Sequence, residues 1–411
     1  MTERKFDIIV WGATGFTGKL VAEYLNENYG VNKELTWAIA GRSSQKCQQV
    51  KQELIQKNPV AQALEIIIAD AFDPKSLETM AKQTKVICTT VGPYSDFGSA
   101  LVKACVDEGT HYCDLTGEAH FVRKMIDAHH TTAQEKKLKI IHAAGFDSIP
   151  SDIGVLFTQE KFKEKYGVYA AEIKMMTGKM RGKLSGGTFA SMISLLDRAQ
   201  KDKTVRKLLM NPYALNPDPK YSGKDHPDQI SFRFDRDLQK WTAPFIMAGV
   251  NTRVVRRSHA LKNFPYGAAF QYSEVMGFPQ GLKGFWRASS LTLGLGSFMA
   301  LISNGWMRKT IHQNFLPQPG EGPSKEEQLR GYFNIHFLAM NGEKKLWTRV
   351  SDRIDPGYAC TAKMLGETAL SLAKDFETLP KQYGVLTPVS ALGQRLIERL
   401  VSADMKLTVD S

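Results

Sequence analysis

The first 150 residues alternate between short apolar runs and longer polar or amphipathic stretches. Each apolar run has the length of a β-strand, and each stretch between two runs has the length and spacing of a helix. The runs predict six strands, at residues 6–11, 35–40, 64–69, 86–91, 111–114 and 139–144. Because the strands are almost continuously apolar and alternate with helices, they predict a parallel sheet covered by helices on both faces.

The pattern changes after about residue 165. Four runs have strand character without a helix between each pair, at residues 169–177, 268–276, 332–340 and 345–351. They predict a mixed or antiparallel sheet in a second domain. Residues 211–229 are rich in Pro, Asn, Asp and Gly and predict a long loop, for which a lid is one interpretation. Residues 317–325 have the composition of a linker.

These patterns together define an α/β fold class with a predicted division of the chain. Residues 1–150 form a Rossmann-type doubly wound parallel sheet, and residues 151–355 form an α+β domain on a mixed or antiparallel sheet. Residues 356–411 include a helix of small residues after Asp355, and we expect these C-terminal helices to pack back on the first domain.

A glycine-rich turn follows the first strand directly. It reads G-x-x-G-x-x-G and comprises Gly12, Ala13, Thr14, Gly15, Phe16, Thr17 and Gly18. Gly12 permits the tight turn, Gly15 lets a pyrophosphate approach the backbone, and Gly18 lets the helix pack on the sheet. Free N–H groups at the helix start stabilise phosphate charge. The turn therefore predicts a dinucleotide site, and the alternative is a tight turn that binds no ligand.

The end of the second strand indicates which dinucleotide binds. An NAD site places Asp or Glu there to bind the ribose 2′-hydroxyl, whereas this chain has Arg42 and Ser43. A guanidinium and a hydroxyl suit a 2′-phosphate, so we expect NADP(H) as the cofactor. Asp70, after the third strand, is either a contact to the adenine amino group or a solvated strand end.

Ligands of open α/β sheets lie beyond the carboxyl ends of the strands. Val91, Gly92 and Pro93 follow the fourth strand, and we expect them beside the cofactor. Tyr94 is then either a proton donor near the nicotinamide or a ring packed beneath cofactor or substrate.

Two further segments reach the same edge of the sheet. Asp147 and Ser148 either act on the nicotinamide amide or the substrate, or cap the helix that begins near Asp152. Asp114 and Glu118 either hold a substrate group or form a solvated helix start. We take Tyr94, Ser148 and Asp147 as the catalytic candidates, and no pattern in the chain predicts a metal site.

The net charge of the chain indicates the kind of partner it favours. The 411 residues carry 54 Lys+Arg against 42 Asp+Glu, a net charge of +12, which favours acidic partners. Basic residues cluster at 179–183 and 253–257, where they either bind a phosphate or an acidic protein or are simply solvated. Nucleic acid is not expected, because no recognition helix or aromatic platform accompanies the charge. The five cysteines show no C-x-x-C pair, which fits a reducing cytoplasm.

One uncharged stretch, residues 288–303, is a candidate for a membrane-spanning helix. It has 16 residues, whereas a spanning helix needs about 20, so we expect no transmembrane helix. An apolar stripe recurs at helical spacing: Leu291, Leu295, Phe298 and Ile302. It predicts either a core or homodimer helix, or a face that contacts a membrane surface or a lipid chain. The expected localisation is cytoplasmic, with peripheral membrane contact as the alternative.

Ten short motifs in order give the chain a family resemblance. GATGFTG, AGRS, TVGPY, DLTGE and GFDSIPSD occur at 12–18, 40–43, 90–94, 114–118 and 145–152. With these, the chain resembles the saccharopine dehydrogenase-like oxidoreductases. SGGT, NTRVVRRS, YSE, PGEGPS and GVLTP occur at 185–188, 251–258, 272–274, 319–324 and 384–388. With these as well, it most resembles the bacterial trans-acting enoyl reductases.

The resemblance implies NADPH-dependent reduction of a carbon–carbon double bond in an acyl chain of a polyketide lipid made by a separate synthase. Hydride would reach the β-carbon while a donor, Tyr94 or Ser148, stabilises the enolate oxygen. The basic clusters would suit an acidic carrier domain or its phosphopantetheine, and the 291–302 stripe would suit the acyl chain. Two alternatives are an NADP-dependent reductase of another carbonyl or imine, and a non-enzymatic NADP-binding, lipid-associated protein.

Overall fold

A computed structural model describes residues 4–31, 34–182, 186–218, 220–303 and 322–410. The first sheet has seven parallel strands in the order β13-β6-β5-β4-β1-β2-β3. Its strands are β1 (Phe6–Trp11), β2 (Trp37–Gly41), β3 (Glu65–Ile68), β4 (Thr84–Thr89), β5 (His111–Asp114), β6 (Lys139–Ile141) and β13 (Gly384–Leu386). The predicted parallel sheet is confirmed.

The second sheet also has seven strands, in the order β14-β12-β11-β7-β10-β9-β8. They are β7 (Glu172–Arg181), β8 (Arg233–Asp235), β9 (Lys240–Pro244), β10 (Gln271–Phe278), β11 (Tyr332–Asn341), β12 (Lys344–Asp352) and β14 (Lys406–Asp410). Strands β7 and β10 run parallel and the other neighbours run antiparallel. The sheet is therefore mixed, as the fold class predicted.

Helices connect and cover the two sheets. Those before residue 170 are α1 (Phe16–Asn28), α2 (Ser44–Lys57), α3 (Pro74–Lys82), α4 (Tyr94–Phe97), α5 (Ser99–Glu108), α6 (Ala119–Glu135) and α7 (Ile149–Tyr166). Those that follow are α8 (Gly186–Lys201), α9 (Lys203–Met210), α10 (Ala248–Leu261), α11 (Gly281–Ser303), α12 (Lys325–Leu329), α13 (Thr361–Lys374), α14 (Pro388–Leu392) and α15 (Gln394–Ser402).

Local signals in the sequence explain where several helices begin and end. Ser43 accepts a hydrogen bond from the Lys46 amide and starts α2 as its N-cap. Asp73 and Pro74 start α3 as its N-cap and first residue. Gly109, in a left-handed conformation, ends α5.

The C-terminal segment contributes to both sheets. Helix α13 packs against α1 and β4, and its side chains are almost all buried. Strand β13 then extends the first sheet beyond β6, while β14 pairs with β12 in the second. The division of the chain at residues 150 and 355 stays a prediction.

Helix α11 carries the apolar stripe. Leu291, Leu295 and Phe298 are half-buried and Ile302 is buried, and the helix packs on β9 and β10. The opposite face exposes apolar side chains as well, at Leu282, Trp286 and Leu293. None of the helices among the described residues is long and apolar enough to cross a membrane. Most of the predicted linker at 317–325 lies outside the described residues.

Candidate active site

The strand order places a crevice at the carboxyl end of the first sheet. Strand β1 lies between β4 and β2, so the chain leaves β1 toward one side and reaches β4 on the other. Ligands of doubly wound sheets bind outside this switch point. The glycine turn after β1 and the Val91–Pro93 turn after β4 lie here, and a side chain placed on Gly12 would meet Val91 Cγ2 at 2.6 Å.

Each glycine of the turn has a local reason to lack a side chain. Gly12 has a φ of +89°, which other residues rarely adopt. A Cβ on Gly18 would overlap the Gly12 carbonyl oxygen, so α1 approaches β1 closely. At Gly15 the nearest neighbour of such a Cβ is 3.4 Å away. Gly15 is the N-cap of α1, and none of the described side chains caps this helix start. The first amides of α1 are therefore available to an anion.

The residues after β2 and β3 surround the predicted adenosine end. Arg42 is exposed and has neither a hydrogen bond nor an ion pair among the described residues. Ser43 uses its oxygen to accept the Lys46 amide at 3.3 Å, so its hydroxyl proton is free to donate. Asp70 accepts the Phe72 amide at 2.9 Å through Oδ1.

Tyr94 lies in the core beside the crevice. Its hydroxyl donates to the Thr89 carbonyl at 3.2 Å, and burial raises its pKa well above the usual value. Its ring packs near Phe121, with centroids 6.1 Å apart. This geometry favours the packing interpretation of Tyr94 over that of a proton donor.

Asp114 and Glu118 are both buried, so the interpretation as a solvated helix start is wrong. Asp114 accepts the Tyr112 hydroxyl at 2.8 Å and lies 2.7 Å from His142 Nδ1. Glu118 accepts the amides of Tyr94 and Ser95 at 2.8 and 2.9 Å. These carboxylates hold the loops that follow β4 and β5, because buried N–H groups need such partners.

Ser148 and Asp147 follow β6 and differ in their exposure to solvent. Ser148 is fully buried and donates to Asn251 Oδ1 at 3.1 Å. It occupies the N-cap position of α7, as the capping interpretation expected, but its side chain makes no capping bond.

Asp147 keeps part of its surface accessible. Its Oδ2 lies 3.6 Å from the position of a Cβ on Gly117, and Val250 of α10 lies 3.9 Å from that position. Burial raises the pKa of Asp147 to about 6. Among the three catalytic candidates, Asp147 is therefore the one with an accessible polar group and a pKa close to neutrality.

Ser148 belongs to a buried hydrogen-bond network with Asn251, Glu274 and Tyr272, three residues that the sequence did not single out. Asn251 donates to Glu274 Oε2 at 3.0 Å, and the Tyr272 hydroxyl donates to Glu274 Oε1 at 2.8 Å. All of these groups are buried, and burial raises the pKa of Glu274 to about 7. The motifs NTRVVRRS and YSE contain the three residues, but their contact depends on the packing of α10 on β10.

The basic cluster at 253–257 does not lie on the surface, so both interpretations of it are wrong. Arg253 pairs with Asp228 at 2.9 Å, and Arg256 pairs with Asp225 at 3.2 Å. Arg257 donates to the carbonyls of Leu215 and Val385. All three arginines are buried.

These arginines bind the segment 211–229 to α10. That segment has neither helix nor strand among its described residues, which confirms the predicted loop. In the cluster at 179–183, Lys179 and Arg181 are exposed, and Lys183 lies outside the described residues.

A parallel sheet with an uncapped glycine turn at its switch point defines a dinucleotide-binding α/β protein. Comparison with known proteins narrows the class. Residues 8–141 match the model of the saccharopine dehydrogenase NADP binding domain. The fold also resembles apo saccharopine dehydrogenase (L-Glu forming) from Saccharomyces cerevisiae, with a TM-score of 0.53 and 11% identity over 98% of this chain and 99% of that one.

Relatives that match over nearly their full length indicate the branch of this family to which the chain is most similar. A Mycobacterium tuberculosis protein provisionally named a trans-acting enoyl reductase is 39% identical over 99% of this chain and 98% of its own. The trans-acting enoyl reductase of Mycobacterium ulcerans is 35% identical over 97% of this chain and 96% of its own. The chain belongs to the saccharopine dehydrogenase-like oxidoreductase family, among the relatives of these enoyl reductases, and is an NADP-dependent oxidoreductase.

Proposed function

We propose that this oxidoreductase is an enoyl reductase that reduces the carbon–carbon double bond of an acyl chain carried by a synthase or by coenzyme A. The near full-length likeness to trans-acting enoyl reductases carries this proposal. The accessible carboxyl group of Asp147 at the crevice supports it, because reduction of an enoyl thioester needs a proton as well as a hydride.

The cofactor would lie across the switch point. The amides of Phe16, Thr17 and Gly18 fit its pyrophosphate, because they stand at the uncapped start of α1. Arg42 and Ser43 offer donors to the 2′-phosphate, and Asp70 lies at the adenine end. The turn of Val91, Gly92 and Pro93 would flank the nicotinamide half.

NADPH, when bound, supplies the hydride that forms the new C–H bond at the β-carbon. Asp147 donates its proton to the α-carbon, so the double bond gains one hydride and one proton. The raised pKa helps, because burial keeps this carboxyl group protonated at a higher pH than a solvated aspartate. Tyr94 and Ser148 position the neighbouring loops, since their hydroxyl groups are committed to Thr89 and Asn251.

The test measures NADPH oxidation with a trans-2-octenoyl thioester of N-acetylcysteamine across pH. For the wild type, kcat falls as the pH rises through a value near 6, because the proton donor ionises. In Asp147→Asn, kcat falls by about 100-fold or more and the pH dependence disappears. The matched control is Asp107→Asn on α5, which lies outside the crevice.

Two results would contradict the proposal. Wild type that oxidises NADPH with carbonyl or imine acceptors but not with the enoyl thioester would assign another substrate class. An Asp147→Asn variant with unchanged kcat and pH profile would remove Asp147 from the reaction, and the Ser148→Ala and Tyr94→Phe variants would then be measured in the same way.

A further inference from the structure

Helix α9 presents a basic face to solvent. Lys203, Arg206, Lys207 and Met210 follow the spacing i, i+3, i+4, i+7 and therefore share one side of the helix. All four are exposed, and 76% of the Met210 surface is accessible. These four residues are called the α9 basic face below.

The opposite side of α9 fixes the helix to the molecule. Leu208 and Leu209 are half-buried and pack on the apolar core of the first sheet. Arg253 of α10 donates through Nε to the carbonyl of Asn211, which ends α9, at 3.1 Å. The orientation of the α9 basic face is therefore set by packing on one side and by a buried arginine at its end.

In the part of the chain that the structure describes, no carboxylate neutralises the charge of this face. Lys203, Arg206 and Lys207 form no ion pair among the residues that the structure describes. The neighbouring carboxylate of Asp202 accepts the Thr204 amide at 2.7 Å and starts the helix. Three unpaired cations around an exposed methionine are suited to an acidic protein surface with a small apolar contact.

Helix α10 links the C-terminal end of α9 to the neighbourhood of Asp147. Arg253, which holds the end of α9, is one helical turn along α10 from Val250, the residue near Asp147. Arg198 of the preceding helix α8 pairs with Asp96 of α4, which follows directly on the Val91–Pro93 turn. A protein bound to the α9 basic face would thus reach the entrance of the candidate active site.

We propose that the α9 basic face docks the acidic carrier protein that delivers the acyl chain. This inference rests on the proposed enoyl reduction and names the surface that its substrate carrier recognises. It differs from the expectation for residues 253–257, because those arginines are buried and cannot meet a partner.

The test compares one enoyl chain on two carriers. The trans-2-octenoyl group is attached either to an acidic bacterial acyl carrier protein, through phosphopantetheine, or to N-acetylcysteamine. The variant combines Lys203→Glu, Arg206→Glu and Lys207→Glu. The matched control makes the same charge change at the C-terminal end of α7 and the start of β12, with Lys163→Glu, Lys165→Glu and Lys344→Glu, all exposed positions.

We expect the α9 variant to lose at least tenfold in kcat/KM with the carrier-bound chain and to keep its rate with the small thioester. The control keeps both rates. Raising the salt concentration from about 50 to about 500 mM should lower the wild-type rate with the carrier-bound chain and remove most of the difference, because salt screens exposed charges. Equal rates of wild type and α9 variant on the carrier-bound chain would overturn the proposal.

A measurement of carrier-protein binding tests this inference independently of the proposed enoyl reduction. If the wild type reduces neither thioester, the proposed enoyl reduction is contradicted. Fluorescence anisotropy of a labelled carrier protein still reports whether the α9 basic face binds it. Weaker carrier binding by the α9 variant supports docking. Unchanged carrier binding, together with lost binding to phosphatidylglycerol vesicles, would overturn it and assign the face to an anionic membrane.

Discussion

At the scale of single residues, the same residue type has opposite roles in different surroundings. Arg42 stands exposed after β2, whereas Arg257 is buried and bonded to two backbone carbonyls. Burial lowers the pKa of Arg257 to about 9. The sequence predicted the position of Arg42 at the carboxyl end of β2, because the apolar run before it has the pattern of a strand. It could not predict the burial of Arg257, which depends on a distant loop.

The three catalytic candidates also could not be distinguished from the sequence alone. Tyr94, Asp147 and Ser148 all follow strands of the first sheet and were equivalent by sequence position. Their difference arises from the contacts of each side chain, since Tyr94 and Ser148 donate to Thr89 and Asn251. Sequence position predicts that these residues lie at the carboxyl edge of the sheet. Tertiary packing decides which of their side chains keeps a free polar group.

A first prediction concerns Arg42. Arg42→Ala should weaken NADPH binding at least tenfold relative to NADH, because the variant lacks the guanidinium that meets the 2′-phosphate. Tenfold corresponds to about 1.4 kcal/mol. Fluorescence titration of wild type and variant with both nucleotides measures the change. Arg236→Ala, at another exposed arginine, is the control, and an unaltered NADPH preference in Arg42→Ala would show that another group binds the 2′-phosphate.

At the scale of elements, the strands with a strong local pattern were predicted best. Strands β1 and β5 occupy the predicted residues, and β2 begins two residues later than predicted. Strand β13 was missed because it has three residues and no local alternation. Its place in the sheet comes from pairing with β6, more than 240 positions earlier in the chain. Such pairing leaves no periodicity for a local window to detect.

The second prediction concerns the loop held by α10. Arg253 is 4% exposed and pairs with Asp228, and it also bonds to carbonyls at the end of α9. Arg253→Met should lower the free energy of unfolding by about 3 kcal/mol, because it removes the cation that pairs with a largely buried carboxylate and the donor to several carbonyls. Urea unfolding measures the loss.

Limited proteolysis should then cleave the variant within residues 211–229 sooner than the wild type. Arg236→Met, at an exposed position, is the control and should change stability by less than about 0.5 kcal/mol. If Arg253→Met is as stable and as resistant to protease as this control, the loop does not depend on the arginine.

At the scale of the whole molecule, buried polar groups connect the two sheets near the crevice. Glu274 of β10 binds Asn251 of α10, which binds Ser148 after β6. Asp152 of α7 accepts the Ser258 hydroxyl and the Val389 amide, so it joins α7 to α10 and α14. Burial raises the pKa of Asp152 to about 7. The packing between the two sheets therefore includes two buried carboxyl groups whose pKa values are near neutral.

The last prediction uses Glu274 to test this connection. Its pKa is about 7 in the folded protein, against 4.5 for an unperturbed glutamate. The folded state thus holds the proton more tightly, and this group lowers stability as the pH rises from 4.5 to 7. Glu274→Gln keeps a neutral side chain with similar hydrogen bonds. Relative to wild type, it should gain about 2 kcal/mol between pH 5 and pH 8.

Urea unfolding at both pH values measures this gain. Glu343→Gln, in an exposed turn, should show no such dependence, and the other buried carboxyl groups cancel because they are present in every protein compared. A constant difference between Glu274→Gln and wild type would mean that Glu274 ionises normally at the junction. The expected slope would instead show that the packing of the two sheets holds this carboxyl group in its neutral form.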